Sequence, residues 1–286
     1  MKKFTESFAN LILAVVLLSA LATPVQIVAQ ETPLVDKINV PLSDPSRPVN
    51  LECGILNGSI TVKGVSGLKE VVVEATTRFQ EYKRGKKSDQ SGGLRRIQNT
   101  STGLSVEEED NKIDVSLGMV GQSRQVDLII QVPTNTSMEL STTNDGDIYV
   151  ENVVGDLEIS NTNGRVTLKN ISGSAVAHAL NEDIVVTFAK VNLQKPMSFS
   201  SMNGKIDVTF PPDIKATVYM KTDQGEIYTD FDMQVDRAST KIEEESGKRG
   251  KYRVTYERGM KGVINGGGTE VQFSNFNGDI YIRKGK

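Results

Sequence analysis

Tryptophan is absent from this chain, and histidine and cysteine occur once each, as His178 and Cys53. A zinc site needs several converging His, Cys or carboxylate ligands, so zinc here would rest almost wholly on carboxylates. One cysteine forms no internal disulfide, and stability has to come from packing and hydrogen bonds. Cys53 follows no lipobox-like apolar run, so it reads as a small buried residue beside the first strand, not as a lipid anchor. Positive charge is not in surplus either. The net charge is −3, and a mildly acidic chain is a poor partner for nucleic acid. The local run Lys83-Arg84-Gly85-Lys86-Lys87 is flanked by Glu81 and Asp89 and reads as a solvated loop. A hydrophobic content of 37% against 24% charged is enough for a packed core and excludes wholesale disorder.

Long apolar runs are lacking after the N-terminus. Lys2 and Lys3 precede an apolar stretch from Leu11 to Leu21, broken only by Ser19. Ala20-Leu21-Ala22 and Ala29-Gln30 offer small-residue cleavage positions. This is the pattern of a secretory signal peptide over residues 1–29, the alternative being an N-terminal anchor; the run is short for a span of about 20 residues. Its removal takes away Lys2, Lys3 and Glu6 and leaves the chain one charge more negative. Export without disulfides fits a bacterial envelope better than an animal secretory route. The expected location is therefore the periplasm, the cell surface or the medium.

Helical periodicity is nearly absent. From residue 50 onward Val, Ile and Thr alternate with polar residues, and Asn-Gly or Asp-Gly pairs punctuate the runs. The punctuation is regular. Between residues 146 and 182 the corners fall at Gly146, Gly155, Gly164, Gly173 and Glu182, nine residues apart. Apolar residues stand two and four positions after each turn glycine and so share one face. Asn and Gly accept positive φ and can turn the chain sharply.

Two nine-residue arms make an 18-residue coil. Stacking at that period aligns Ile148, Val166 and Ile184, and then Val150, Leu168 and Val186. On the outer face it aligns Asp147, Arg165 and Asp183 with alternating sign, places Glu151 over Lys169, and sets Asn152 over Asn170. Opposite charges on neighbouring strands are mildly favourable. The rhythm returns at Asn203-Gly204, Gln224-Gly225 and Asn277-Gly278. The expectation is an all-β solenoid with coils of about 18 to 22 residues. Asn-Gly also marks hairpins, so a β-sandwich is the alternative. Residues 30–49, with Pro41, Pro45 and Pro48, read as an extended lead-in, and 50–286 as the repeat domain. Residues 79–100 and 235–251 read as polar or charged exposed loops.

The segment Arg124-Gln125-Val126-Asp127-Leu128-Ile129-Ile130-Gln131-Val132-Pro133, followed by Asn144-Asp145-Gly146-Asp147-Ile148, resembles the DUF4097 family of candidate adhesins. So do Asn203-Gly204-Lys205-Ile206-Asp207-Val208 and Thr222-Asp223-Gln224-Gly225-Glu226-Ile227. The tail, with Gly266-Gly267-Gly268-Thr269-Glu270-Val271 and Asn277-Gly278-Asp279-Ile280, is also similar. The resemblance spans roughly residues 50 to 284. It implies a β-solenoid-like fold, export to the bacterial envelope, and no catalytic residues.

No motif names a reaction centre or a cofactor. Asp145, Asp147 and Asp183 could gather oxygen ligands for calcium, but the nonapeptide pattern of calcium-binding solenoids is missing; an outward charge ladder is the simpler reading. His178 follows inward-facing Ala175 and Ala177 and should point outward. No Gly-x-Ser-x-Gly elbow accompanies it. Gly266-Gly267-Gly268 lacks the Lys and helix of a phosphate loop and reads as a tight turn or bulge. Tyr149, Tyr228 and Tyr281 each stand three residues after a turn glycine, on the face opposite the apolar ladder. Exposed tyrosines on a flat β face can bind sugars or proteins; ordinary strand decoration is the simpler reading. The reading is thus a non-enzymatic envelope protein contacting an unidentified protein or glycan. The alternatives are a carbohydrate-active enzyme on a β-helix, and a structural protein self-associating through open ends.

Overall fold

Side chains alternate between the two faces of a strand, and this chain puts an apolar residue at every second position. In the segment Val49–Asn57, Val49, Leu51, Cys53 and Ile55 are buried, while Asn50, Glu52 and Gly54 are exposed. The computed structural model describes residues 35–78, 101–119, 124–236, 240–247 and 251–286. The expected signal peptide (1–29), the basic run 83–87 and the loop expected at 79–100 lie outside the described residues. No helix among the described residues is long and apolar enough to cross a membrane.

The chain builds rungs, each with one strand on a first wall and one on a second; Asn-Gly corners such as Asn57-Gly58, Asn163-Gly164 and Asn277-Gly278 join the two. β1 (Val35–Pro41) precedes them. β2 (Val49–Asn57) and β3 (Ile60–Val65) form the first rung, after which β4 (Glu70–Thr77) doubles back. β5 (Leu104–Glu109) and β6 (Lys112–Leu117) form a hairpin, and β6 with β7 (Val126–Pro133) is the second rung. The next four rungs run in succession. They pair β8 (Thr136–Asn144) with β9 (Ile148–Glu151), and β10 (Val154–Asn161) with the first half of β11 (Val166–Ala179). The second half of β11 then pairs with β12 (Ile184–Val191), and β13 (Met197–Asn203) with β14 (Ile206–Phe210). β15 (Ala216–Gln224) and β16 (Ile227–Thr229) are the seventh rung. β17 (Met233–Asp236), β18 (Thr240–Gly247), β19 (Lys251–Arg258) and β20 (Met260–Ile264) follow, and β21 (Thr269–Asn277) with β22 (Ile280–Lys284) closes the chain as the eighth.

Neighbouring rungs pair in parallel along both walls, which makes this a β-solenoid-like fold. The sandwich alternative fails because the Asn-Gly corners at Asn57, Asn163, Asn203 and Asn277 join strands on different walls instead of hairpin partners. The aligned columns are as expected: Val166 pairs with both Ile148 and Ile184, and Leu168 with both Val150 and Val186. A longer column runs along the first wall through Met220, Phe273, Phe199, Ala177, Ile159, Leu140, Cys53 and Val115. The two walls meet in one core. Phe188 stacks on Phe210 at 5.3 Å, Phe199 stacks on Phe273 at 5.3 Å, and the pairs meet edge-to-face at 6.4 Å across the walls. These are favourable aromatic geometries.

The stack is not in chain order at its ends. The first rung lies between the second and the third, because β2 pairs with β6 and β8, and β3 with β7 and β9. The eighth rung lies between the sixth and the seventh, because β21 pairs with β13 and β15, and β22 with β14 and β16. Antiparallel strands finish each end: β4 and β1 beyond β7, β5 beyond β6, and β20 and β17 beyond β15. The lead-in expected at 30–49 thus carries β1, paired with β4 along its length.

Part of the charged loop expected at 235–251 is instead strand. β17 reaches Asp236, and β18 and β19 form an antiparallel hairpin. The alternation of Tyr252, Val254 and Tyr256 with polar residues supplies the strand propensity that the charges hid. Gly266 and Gly267, with φ of 85° and 83°, form the tight turn expected before the last rung.

The corners hold the rungs in register. Asn144, Asn163, Asn181 and Asn203 each donate from the side-chain amide to the amide oxygen of the asparagine on the neighbouring corner. The acceptors are Asn57, Asn144, Asn163 and Asn181, at 3.2, 3.1, 2.7 and 3.1 Å. Beneath this ladder, Thr142, Asn161, Ser201, Asn275 and Thr222 donate to corner carbonyls of adjacent rungs. Gly58 shows why glycine is needed here: its φ is 124°, and a Cβ would overlap the Val126 carbonyl. At the opposite corner Asn170 donates to Asn152 at 2.7 Å, and both have positive φ.

Two outcomes follow. Gly58→Ala should cost more than about 1 kcal/mol in urea unfolding, since a side chain is both strained and obstructed there. In native-state hydrogen exchange the β22 amides should be protected like those of central strands although the strand ends the chain, while the three-residue β16 at the wall edge exchanges fast.

Candidate interaction surface

The outer face of the second wall carries one row of residues set by strand register. It runs Tyr228, Tyr281, Asp207, Val185, Thr167, Tyr149, Thr61, Ile129. All three tyrosines singled out in the sequence fall on it. Tyr228 and Tyr281 come together, with rings 5.0 Å apart and 9° from parallel, close to the strand spacing of about 4.8 Å. Tyr149 stands apart, separated from Tyr281 by four strand steps, or about 19 Å.

Each phenol is tied to a carboxylate two residues away on the same strand face or turn. Tyr228 donates to Glu226 at 2.5 Å, Tyr281 to Asp279 at 3.0 Å, and Tyr149 to Glu151 at 2.7 Å. A proton shared with an anionic acceptor is harder to lose, so all three phenols are shifted upward. Tyr228 is pushed up to about 12, chiefly by its bond to Glu226. Tyr281 and Tyr149 move the same way through Asp279 and Glu151. The Arg283 guanidinium lies 4.9 Å from the Tyr281 ring centroid and is clamped by Asp207 at 2.6 and 3.1 Å. The Tyr228 and Tyr281 phenols are therefore held protonated and oriented, and the pair is exposed at Tyr228, which is 44% accessible.

A cleft of about 460 Å³ opens beside Tyr149, lined by Arg78, Asp145, Asp147 and Asn163 among others. Arg78 donates to both Asp127 oxygens, at 2.5 and 2.6 Å, and to the Asp145 carbonyl at 3.0 Å. Burial pushes the Asp127 carboxyl up, but Arg78 and Ser59 overcome this and hold it below the usual carboxylate range. Nothing local in the sequence marks Arg78; its partners are distant in the chain.

The expected alternation at Asp147, Arg165 and Asp183 is part of a longer pattern. Asp127, Asp147, Asp183 and Asp279 stand on every second rung. Each accepts the backbone N–H of Ser59, Arg165, Lys205 and Glu226 respectively, at 2.8 to 3.0 Å. Of the carboxylates considered for calcium, Asp147 and Asp183 are thus engaged in corner bonds, while Asp145 accepts from Arg78 through its backbone carbonyl. Among the described residues no group of three His, Cys, Asp or Glu side chains gathers to hold a metal ion. His178 points outward, as expected, with Nδ1 2.5 Å from Ser200 Oγ.

The first wall has a different outer face. Asp114, Glu52, Glu139 and Glu158 sit on adjacent strands in one row, and the last three line a groove of about 390 Å³. Like charges so placed are unfavourable, and Lys112 offsets one of them at 3.0 Å from Glu52. Asp44, Glu108 and Asp156 titrate below the usual range, held down by hydrogen bonds from Ser46, from the Asn111 and Ser43 backbone, and from Lys195 with Ser174.

The sequence profile of the Toastrack DUF4097 family matches residues 59–247 and 141–282. No curated protein matches the chain. Among solved structures, similarity is found to a candidate cell adhesion protein from Clostridium sporogenes ATCC 15579. That match has 9% identity and a TM-score of 0.41, covering 89% of this chain and 100% of the other. A candidate adhesin from Bacteroides fragilis NCTC 9343 matches at 12% identity and a TM-score of 0.32, covering 88% and 97%. One from Parabacteroides merdae ATCC 43184 matches at 9% and 0.27, covering 88% and 96%.

Replacing Glu226 by Gln removes the anionic acceptor from Tyr228. In a spectrophotometric pH titration, the phenol that ionises at about 12 should then ionise at lower pH, seen as a difference between variant and wild-type tyrosinate absorbance.

Proposed function

The chain belongs to the Toastrack DUF4097 family, and from that premise we propose that it is an exported, non-enzymatic interaction protein of the bacterial envelope. In this reading it acts as an adhesin-like scaffold whose second wall meets a glycan or a protein. The observation that carries this is the tyrosine row: three tyrosines on one outer row of a continuous parallel sheet, two of them stacked at its edge, where Tyr228 is exposed and Tyr281 half-buried. An aromatic face held rigid by strand register loses little conformational freedom on binding and suits a sugar ring or a partner's aromatic residue.

The electrostatics agree with a non-catalytic role. A glycosidase acid needs a carboxyl shifted upward, whereas the displaced carboxyls among the described residues, Asp44, Glu108, Asp127 and Asp156, are all shifted downward. Open-ended self-association is disfavoured by antiparallel end strands that carry charge, such as Glu107 to Glu109 on β5 and Asp36 and Lys37 on β1.

The test is binding of the mature protein to a glycan array and to envelope extract, with the double variant Tyr228→Ala, Tyr281→Ala alongside. Truncating a hot-spot aromatic costs about 2 kcal/mol or more, so affinity should fall by more than tenfold with the fold intact. Unchanged capture by the variant would sink the reading, as would cleavage of a polysaccharide that a single carboxylate substitution abolishes.

A further inference from the structure

Asn-Gly pairs occur at Asn57, Asn163, Asn203, Asn265 and Asn277, all at described positions. The pair is chemically labile, because glycine presents little steric hindrance to attack by its own nitrogen on the preceding amide. In four of the five the asparagine amide is held. Asn57 accepts from Asn144. Asn163 donates to the Thr143 carbonyl and to Asn144, and accepts from Asn181. Asn203 donates to Asn181. Asn265 donates to the carbonyls of Pro212 and Ile214, at 3.1 and 2.8 Å. Asn277 is exposed, and among the described residues nothing bonds its side chain, although its backbone takes part in the stack through Gly204 and Gln224.

We propose that Asn277 is a site of spontaneous modification in the folded protein, the one Asn-Gly pair whose amide is free to close on the following glycine. The Gly278 nitrogen, its proton lost to solvent hydroxide, adds to Asn277 Cγ. The new N–Cγ bond closes a cyclic imide as the Cγ–Nδ2 bond breaks. Nδ2 takes a proton from water and leaves as ammonia. Water then opens either imide carbonyl, giving aspartate or isoaspartate, with no oxidant or reductant involved. The ladder asparagines have comparable backbone bonds, such as Gly58 N–H to the Asn144 carbonyl at 2.9 Å, so the difference lies in the side chain. Each amide bond that must break before Cγ can swing onto the glycine nitrogen slows the step by about fivefold.

The location gives the reaction a structural effect. Asn277 is the corner between β21 and β22, the rung wedged between the sixth and the seventh. Isoaspartate lengthens the main chain by one methylene there, where Asn277 must stay in register with Asn203 and Gln224.

The experiment ages the purified full chain at mildly alkaline pH, folded and in urea, and follows amide-to-acid conversion at each pair by peptide mass mapping. In urea all five pairs should convert at similar rates. In the folded protein Asn277 should convert first, with Asn163, Asn203 and Asn265 roughly fivefold or more slower. The proposal is overturned if any of these three keeps pace with Asn277, or if Asn277 stays intact while the urea sample converts fully. Asn181→Ala supplies the converse: it removes the acceptor of Asn203, which should then convert about fivefold faster while Asn277 is unchanged. No acceleration at Asn203 would remove the ladder as the cause of protection.

Discussion

A corner inside this stack must turn the chain within a few residues while neighbouring corners press on it from both sides at one strand spacing, about 4.8 Å. That crowding leaves no room for a Cβ over the neighbouring carbonyl at positions such as Gly146 and Gly164. It also leaves corner N–H and C=O groups that need partners. Three side-chain devices supply them: the asparagine amide ladder, the small polar residues buried beneath it, and an aspartate on alternate rungs. The walls are then free to be simple, with aliphatic columns inside and whatever function requires outside.

Register fixed at the corners is what aligns the outer rows. Tyr228 and Tyr281 are 53 residues apart in the chain and meet only because the last rung slots in beside the seventh. The same register that builds an aromatic edge on one wall builds an acidic row on the other. The two faces differ in chemistry while sharing one core.

Much of this was legible in the sequence. The nine-residue rhythm gave the rungs, and the columns through Ile148 and Val150 were correct to the residue. So were the pairings of Glu151 with Lys169 and Asn152 with Asn170, because they involve consecutive rungs and one fixed period. What period alone could not reveal was the placement of rungs out of chain order, since the first and eighth rungs carry the same pattern as their neighbours. The contact of Tyr228 with Tyr281 was hidden for that reason, and so was the strict alternation of Asp127, Asp147, Asp183 and Asp279, which appears only in spatial order. The hairpin at β18 and β19 was obscured by charge, and Arg78 by the distance in sequence to Asp127.

The exchanged order at both ends bears on how such a protein can change length. In an ordinary repeat stack a duplicated unit can be appended at a terminus, where it covers the last one. Here antiparallel strands already occupy the terminal positions except beside the short edge strand β16, and the first and last rungs are enclosed by their neighbours. An appended unit would find no open parallel edge beside the rung it follows. Gain or loss of a rung is compatible with the closed ends only in the central run from β8 to β14, where sequence order and spatial order coincide.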